Sequence, residues 1–275
     1  MMTAEEFTIR PLESRDDFLQ CVALQHETWG EDFEECVPPS ILQVSQKVGG
    51  VSAGAFDADG RLVGFVFGLS GVRHGRLAHW SDMLAVREEL RGRGLGQRLK
   101  AYQLSQLLER GIQVAYWTYD PLEAGNANIN INRLAAFPVE YVPNMYGHVP
   151  GKLHAGLDTD RFVVEWHLTD PLVEATLTGK AAADADAGAG APIVNTEVVD
   201  GVPTPRDLEL PDASPVRVEI PRDVQALKEI SMETAESWRA NTRRALMHYL
   251  GRAYRVTGFQ RDAEAQRCFY VLTRG

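Results

Sequence analysis

Arg91-Gly92-Arg93-Gly94-Leu95-Gly96 is the stretch on which the reading of this 275-residue chain turns. Upstream lies the apolar run His79-Trp80-Ser81-Asp82-Met83-Leu84-Ala85-Val86. Downstream, Leu95, Leu99 and Tyr102 recur at spacings of four and three, Leu104 and Leu108 follow four apart, and Gly111 ends the run. The pattern predicts a strand, a glycine-rich turn and an amphipathic helix. A helix N-terminus presents unpaired N–H groups and the positive end of the helix dipole, and glycines let a diphosphate come close to that backbone. Arg87, Arg91, Arg93, Arg98 and Lys100 add positive charge, against Glu88 and Glu89 alone. The turn reads as a holder of a polyanion, although an Arg/Gly turn taken by itself also serves plain loop geometry.

Spacing narrows the choice of polyanion. The pattern G-x-x-x-x-G-K-[ST] is absent, which removes a P-loop nucleoside triphosphatase. The dinucleotide pattern G-x-G-x-x-G is not met either, because Gly92, Gly94 and Gly96 alternate and no βαβ half precedes them. What remains is R-x-x-G-x-G on Arg91, Gly94 and Gly96, directly after a strand ending in Leu84-Ala85-Val86. This resembles the acetyl-CoA-binding motif of the GNAT superfamily of acyl-CoA N-acyltransferases. The resemblance implies that Arg91, Gly92, Arg93, Gly94, Leu95 and Gly96 hold the CoA pyrophosphate. It also implies that the pantetheine arm pairs with Leu84, Ala85 and Val86.

The order of the remaining segments agrees with that resemblance. Phe7 to Pro11 reads as a strand, and Ser14-Arg15-Asp16-Asp17 as the capped start of a helix through Phe18, Cys21, Val22 and Trp29. Pro38 to Lys47 reads as a short helix. Val51–Phe56 and Leu62–Leu69 read as strands joined by the turn Asp57-Ala58-Asp59-Gly60. Val114–Tyr119 is rich in β-branched and aromatic residues and predicts a strand that Asp120-Pro121 breaks. Next comes the asparagine ladder Asn126-Ala127-Asn128-Ile129-Asn130-Ile131-Asn132. Its alternation suits a strand and its asparagines do not, and a series of turns and caps also fits it. The GNAT order places a helix here. In the family this helix opens with an Asn that bonds pantetheine, which implies Asn126 and Asn128, and later carries a Tyr that protonates the leaving thiolate. Asn132 stands about where that Tyr belongs, and an amide cannot act as a general acid near neutral pH. Pro138–Tyr146 and Arg161–His167 complete the expected sheet.

Composition shifts beyond Thr169. The stretch Lys180–Pro192 is alanine-, aspartate- and glycine-rich, reading as a mobile loop or linker. Val216–Ile220 reads as a strand. Trp238, Thr242, Ala245 and Tyr249 define one face of a helix capped at Gly251, with Arg239, Arg243 and Arg244 towards water. Tyr254–Phe259 and Cys268–Leu272 read as a hairpin. The expected organisation is therefore an α/β fold with a mixed, twisted central sheet flanked by helices. It comprises an acyl-CoA-binding domain over 1–170, a low-complexity linker or loop over 171–215 and a smaller strand-helix-strand-strand extension over 216–275. Such an extension is similar to those of some bacterial GNAT proteins.

The bulk properties set limits. A net charge of −10 argues against a general nucleic-acid binder, which needs a basic face to displace counterions. Three scattered cysteines without a C-x-x-C give neither a disulfide framework nor a zinc site, and no other metal is expected. The start Met-Met-Thr-Ala-Glu-Glu-Phe lacks a cationic and apolar leader, and no run approaches membrane-spanning length. A soluble cytoplasmic protein with no membrane partner is expected, and a homodimer stays open.

The chemistry that the resemblance implies is direct attack of an amine, on a small molecule or a peptide, on the thioester of acetyl-CoA or another acyl-CoA. The step needs a base, an oxyanion donor and an acid. A bulge near Leu84-Ala85-Val86 would free a backbone N–H for the oxyanion. Asp82, two residues before Leu84 and so on the same strand face, is the candidate base. His79, on the opposite face, has suitable acid–base chemistry. Tyr141, with Tyr146 near it, is the candidate for the missing acid. Two functions remain in view: an N-acyltransferase, and a CoA-binding, catalytically weak module with a structural or partner-binding role.

Overall fold

The Ser14 hydroxyl accepts from the Asp17 N–H at 3.1 Å, and the Asp17 carboxylate accepts from the Ser14 N–H at 3.2 Å. This reciprocal cap satisfies two otherwise open donors. It starts helix α1 (Arg15–Trp29), which follows strand β1 (Thr8–Pro11) and precedes α2 (Pro39–Lys47). The structure, a computed structural model, describes residues 7–147, 156–181 and 188–275. The Asp57–Gly60 turn joins β2 (Val51–Phe56) to β3 (Leu62–Arg73), and β3 turns into β4 (Arg76–Val86). Both strands of this second hairpin outrun their expected bounds. Their ladder continues as an exposed ribbon in which Val72 and Leu77 face solvent, so no buried stripe announces it. α3 (Leu95–Glu109) and β5 (Val114–Tyr119) follow as expected. α4 (Ala124–Ala127) continues as a π-helix over Asn128–Arg133, so the asparagine ladder is helical, with a wider turn than an α-helix. β6 (Phe137–Val142) and β7 (Arg161–His167) complete a seven-stranded mixed sheet of order β1-β2-β3-β4-β5-β7-β6.

The chain divides into two compact units, residues 1–117 with 166–170, and residues 118–165 with 171–275. In the first, one side of the sheet buries Phe65, Phe67, Met83 and Ala85 against Phe18, Cys21 and Leu24 of α1 and Leu42 of α2. α3 packs on the other side, where an added Cβ at Gly64 would lie 3.2 Å from Leu99.

The second unit corrects the expected linker. Residues 171–215 contain α5 (Pro171–Leu177) and a hairpin of β8 (Thr196–Val199) and β9 (Val202–Pro205). Asn195 is buried and exchanges hydrogen bonds with the Glu219 backbone at 2.7 and 2.8 Å, so this stretch is packed structure. Ala182–Ala187 of the low-complexity stretch lie outside the described residues. Next come β10 (Val216–Ile220), α6 (Val224–Ile230), α7 (Met232–Leu250), β11 (Tyr254–Asp262) and β12 (Arg267–Arg274). β12 sits between β10 and β11 in an antiparallel three-stranded sheet. α7 buries the expected Trp238, Thr242, Ala245 and Tyr249. It also buries Arg239, expected in water, whose guanidinium lies 2.5 Å from Asp120. A charge can enter a core when a counter-charge meets it there, and that partner lies 119 residues away in sequence. Among the described residues no helix is long and apolar enough to cross a membrane.

Candidate active site

β4 pairs with β3 on one edge and lies beside β5 on the other. The parallel β4–β5 ladder pairs His79 with Ala115 and Trp80 with Tyr116, and among the described residues it goes no further. From Ser81 to Val86 the β5-facing edge therefore has no strand partner among the described residues, and Val86 O on it accepts from Arg91 Nε at 3.0 Å. The Arg87 N–H donates to Val63 O at 3.0 Å on the β3 side. Alternation along an antiparallel ladder then turns the amides of Ala85 and Met83 to β3 and those of Leu84 and Val86 to the open edge. Of the three residues expected to pair with pantetheine, two thus present backbone groups there, and Ala85 does not.

The expected bulge exists, but earlier in the strand. Phe67 pairs with Met83 and Gly68 with Ser81, which leaves Asp82 as the extra residue. The bulge reverses which side chains face α3. His79 and Ser81 face it before the bulge, through hydrogen bonds with Gln103. After the bulge Leu84 faces it, and an added Cβ at Gly96 would lie 3.5 Å from Leu84, while Met83 and Ala85 join the α1-side core. His79 and Leu84 therefore share a face, contrary to the alternation read from the sequence, which assumed an unbroken strand.

The glycine-rich turn then reaches α3. Gly92 and Gly94 have φ of 76° and 81°, left-handed values that favour glycine. Gly94 is the N-cap of α3 and brings no side-chain cap of its own to the first N–H groups of the helix. Arg91 and Arg93 are exposed beside them, and the Arg91 Nε donates to Val86 O at 3.0 Å. Arg87 pairs with Glu27 and donates to Leu62 O, and Arg98 donates to Phe7 O. Lys100 is buried among the side chains of α3, β4 and β5, and does not face the turn.

The candidate base and the candidate histidine differ sharply. The Asp82 side chain reaches solvent from the bulge, yet desolvation by the surrounding protein, followed by the charge of Glu35, raises its carboxyl pKa. Buried His79 is held neutral: burial, then the charges of Lys100 and Arg110, lower its pKa to about 3. Both ring nitrogens are occupied. Gln103 Nε2 donates to His79 Nε2 at 3.0 Å, and Ser70 Oγ lies 3.0 Å from Nδ1 while giving its own proton to Gly49 O. That network assigns the proton to Nδ1 and leaves His79 no free nitrogen.

In the second unit Asn126 is exposed, whereas Asn128 accepts from Asn132 Nδ2 at 3.0 Å. Asn132 also donates to Phe259 O at 2.9 Å, so the position where the family has its Tyr is bonded to β11. Tyr141 donates its hydroxyl proton to Asp160, which also accepts from Arg243 and from the Asn144 N–H. Burial and then the Asp160 charge push the Tyr141 pKa well up, making it a poorer acid. Exposed Tyr146 shares a 3.0 Å hydrogen bond with Thr118.

Sequence reasoning missed the buried polar set of Lys100, Gln103 and Ser81, and the proximity of Glu35 to Asp82. A lysine directly after Leu99, on a helix whose buried positions fall at 95, 99, 103 and 107, was the available signal for the first. A cavity of about 460 Å³ opens elsewhere in this unit, lined by Leu12, Gln46, Tyr102 and Arg110 among others, and includes none of the turn residues.

Comparison with known proteins finds a family match over part of the chain. Residues 18–128 match the family model described as the acetyltransferase (GNAT) family. No curated relative matches the sequence. Among solved structures, the chain is similar to Ard1 from Thermoplasma volcanium, at 17% identity and a TM-score of 0.44 over 60% of this chain and 99% of that one. It is also similar to an acetyltransferase of the GNAT family from Streptococcus pneumoniae, at 15% identity and a TM-score of 0.47 over 59% of this chain and 99% of that one.

Proposed function

We infer, for a chain whose residues 18–128 are a GNAT acetyltransferase domain, the activity of an acyl-CoA-dependent N-acyltransferase. The observation that carries the reading is the conjunction of an open β4 edge with an uncapped α3 N-terminus, joined by a turn with two exposed arginines. A diphosphate suits that helix end, where it would accept from N–H groups of the first turn and meet the positive dipole end. Gly92 and Gly94 allow the close approach, and Arg91 and Arg93 supply charge. The pantetheine amides suit the Leu84 backbone groups and the Val86 N–H, which supports those two residues over Ala85 as its partners. Asn126 remains available by its exposure, while Asn128 is engaged by Asn132.

In the reaction, the Leu84 or Val86 N–H would stabilise the oxyanion of the tetrahedral intermediate. Asp82 is the base we assign: its raised pKa makes it a stronger proton acceptor than an ordinary carboxylate, directly or through a water. His79 and Tyr141 are set aside, since their polar atoms are engaged within the fold. A catalytically weak CoA-binding module is the second reading. It is favoured by Asn132, which occupies the expected Tyr position and is bonded to Phe259 O.

CoA is expected to raise the melting temperature of the wild type by mass action, and Gly94→Val to remove that rise. Among the described residues no atom lies within 4 Å of an added Cβ there, and the substitution strains the left-handed backbone by about 1–2 kcal/mol. A folded Gly94→Val protein with an undiminished CoA response would overturn the phosphate assignment. Thiol release from acetyl-CoA across a pooled amine library separates the two readings, and CoA binding without turnover would select the module.

A further inference from the structure

Where β4 leaves β5, a lysine lies in the core. The last ladder pairs are His79 with Ala115 and Trp80 with Tyr116, so Ser81 and Trp117 are the first residues beyond the fork on their respective strands. Lys100 of α3, 6% exposed, touches both. Its Nζ donates to Ser81 Oγ at 2.7 Å and to Gln103 Oε1 at 3.2 Å, and lies 3.8 Å from the centroid of the Trp117 ring. Trp166 lies behind, with its ring centroid 5.8 Å from the amine. Ser81 passes its own proton to Gln103 Oε1, and Gln103 holds His79 at 3.0 Å. The polar chain therefore grips His79, within the last paired stretch of β4, and Ser81, the first unpaired residue after Trp80. Asp82, the bulge residue, comes next.

Packing alone does not call for a lysine here. A long apolar side chain would fill the same space without the desolvation of an amine, and buried ionisable groups are often replaceable by apolar ones without loss of stability. What a lysine adds is direction. Hydrogen bonds fix Ser81 at one distance from α3, and a cation is drawn to the face of an indole ring. One amine thereby sets the separation of two strands that no longer bond to each other.

We propose that Lys100 is a positioning residue for acyl transfer, a wedge at the β4–β5 fork that fixes where the strands part and how the bulge presents Asp82. The inference rests on the reading that acyl-CoA lies along the open edge of β4. Lys100 does not touch substrate; it acts through Ser81 and Trp117.

Lys100→Met tests the idea, because methionine keeps the length and the aromatic contact, and leaves the Ser81–Gln103 hydrogen bond intact. The assay is hydrolysis of acetyl-CoA, which requires no identified amine, together with calorimetric CoA binding. The expected result is a folded variant with CoA affinity and KM for acetyl-CoA within about twofold of wild type, and kcat lower by roughly 10- to 100-fold, the scale of a small misplacement of reacting groups. Ser81→Ala is expected to lower kcat in the same way, and Ser81→Thr, which restores the hydroxyl, to recover it. A folded Lys100→Met with wild-type kcat overturns the proposal. Should that variant fail to fold, wild-type kcat in Ser81→Ala overturns it equally. A wild-type protein that binds no CoA overturns the open-edge reading and this inference with it, and that result appears before any substitution is made.

Discussion

Two helix openings in this chain begin from similar sequence signals and end differently. At Gly94 the chain enters α3 with no side-chain cap, two left-handed glycines and two exposed arginines. At Ala124 it enters the asparagine helix, and there Asn128 and Asn132 bond each other, and Asn132 bonds Phe259 of β11. Both stretches are rich in groups able to bind a ligand. The first has no side-chain cap at its N-terminus, and the second uses much of its capacity within the fold. Residue type alone therefore does not identify a ligand site; what counts is which polar groups the rest of the chain has left unsatisfied.

The comparison can be broken from either side. The largest effect is expected beside the open end. Asp82→Asn keeps the shape of the side chain and removes the proton acceptor, so kcat with acetyl-CoA and an accepted amine is expected to fall by about 10²–10⁴ while CoA affinity holds. Wild-type turnover and an unchanged pH–rate profile in this variant would make Asp82 a structural residue. A smaller effect is expected at the closed end. Asn132→Ala loses hydrogen bonds to Asn128 and Phe259 and is expected to cost about 0.5–1.5 kcal/mol in denaturant unfolding, with CoA affinity unchanged. A loss of CoA binding there, without a loss of stability, would give the two helices the same role and end the contrast.

The parts legible in the sequence were those fixed by local chemistry. The strand, the glycine turn and the start of α3 at Leu95 follow from residues within a few positions of one another, as does the Ser14 cap. The bulge at Asp82 was not legible in position, because it arises from how Phe67 and Gly68 meet β4 and not from β4 alone. Lys100 was counted among the cations of the turn, since hydrophobic periodicity gives a lysine no place in a core unless its partners are known. Two of those partners, Ser81 and Trp117, lie on separate strands. The bond of Asn132 was out of reach for the same reason at longer range: its acceptor lies 127 residues away. The packed stretch around Asn195 was hidden by its neighbours, whose alanine and glycine bias suggested a linker.

The buried polar chain also couples the fold to protons. Burial lowers the Lys100 pKa from its ordinary 10.5 to about 7, and unfolding restores it. Between those values the unfolded chain holds a proton that the folded chain has released, so this lysine makes stability rise with pH. Below about 7 the buried ammonium is a constant burden. His79 acts in the same sense lower down, between about 3 and its ordinary 6.5. Above about 9 Cys21 opposes the trend, since its thiol, raised to about 12, keeps a proton that the unfolded thiol gives up. From pH 7 to 9, therefore, the gap in urea midpoint between Lys100→Met and wild type is expected to narrow, with the variant the more stable at neutral pH. A gap that stays constant across that window would mean that the amine keeps its proton inside the fold.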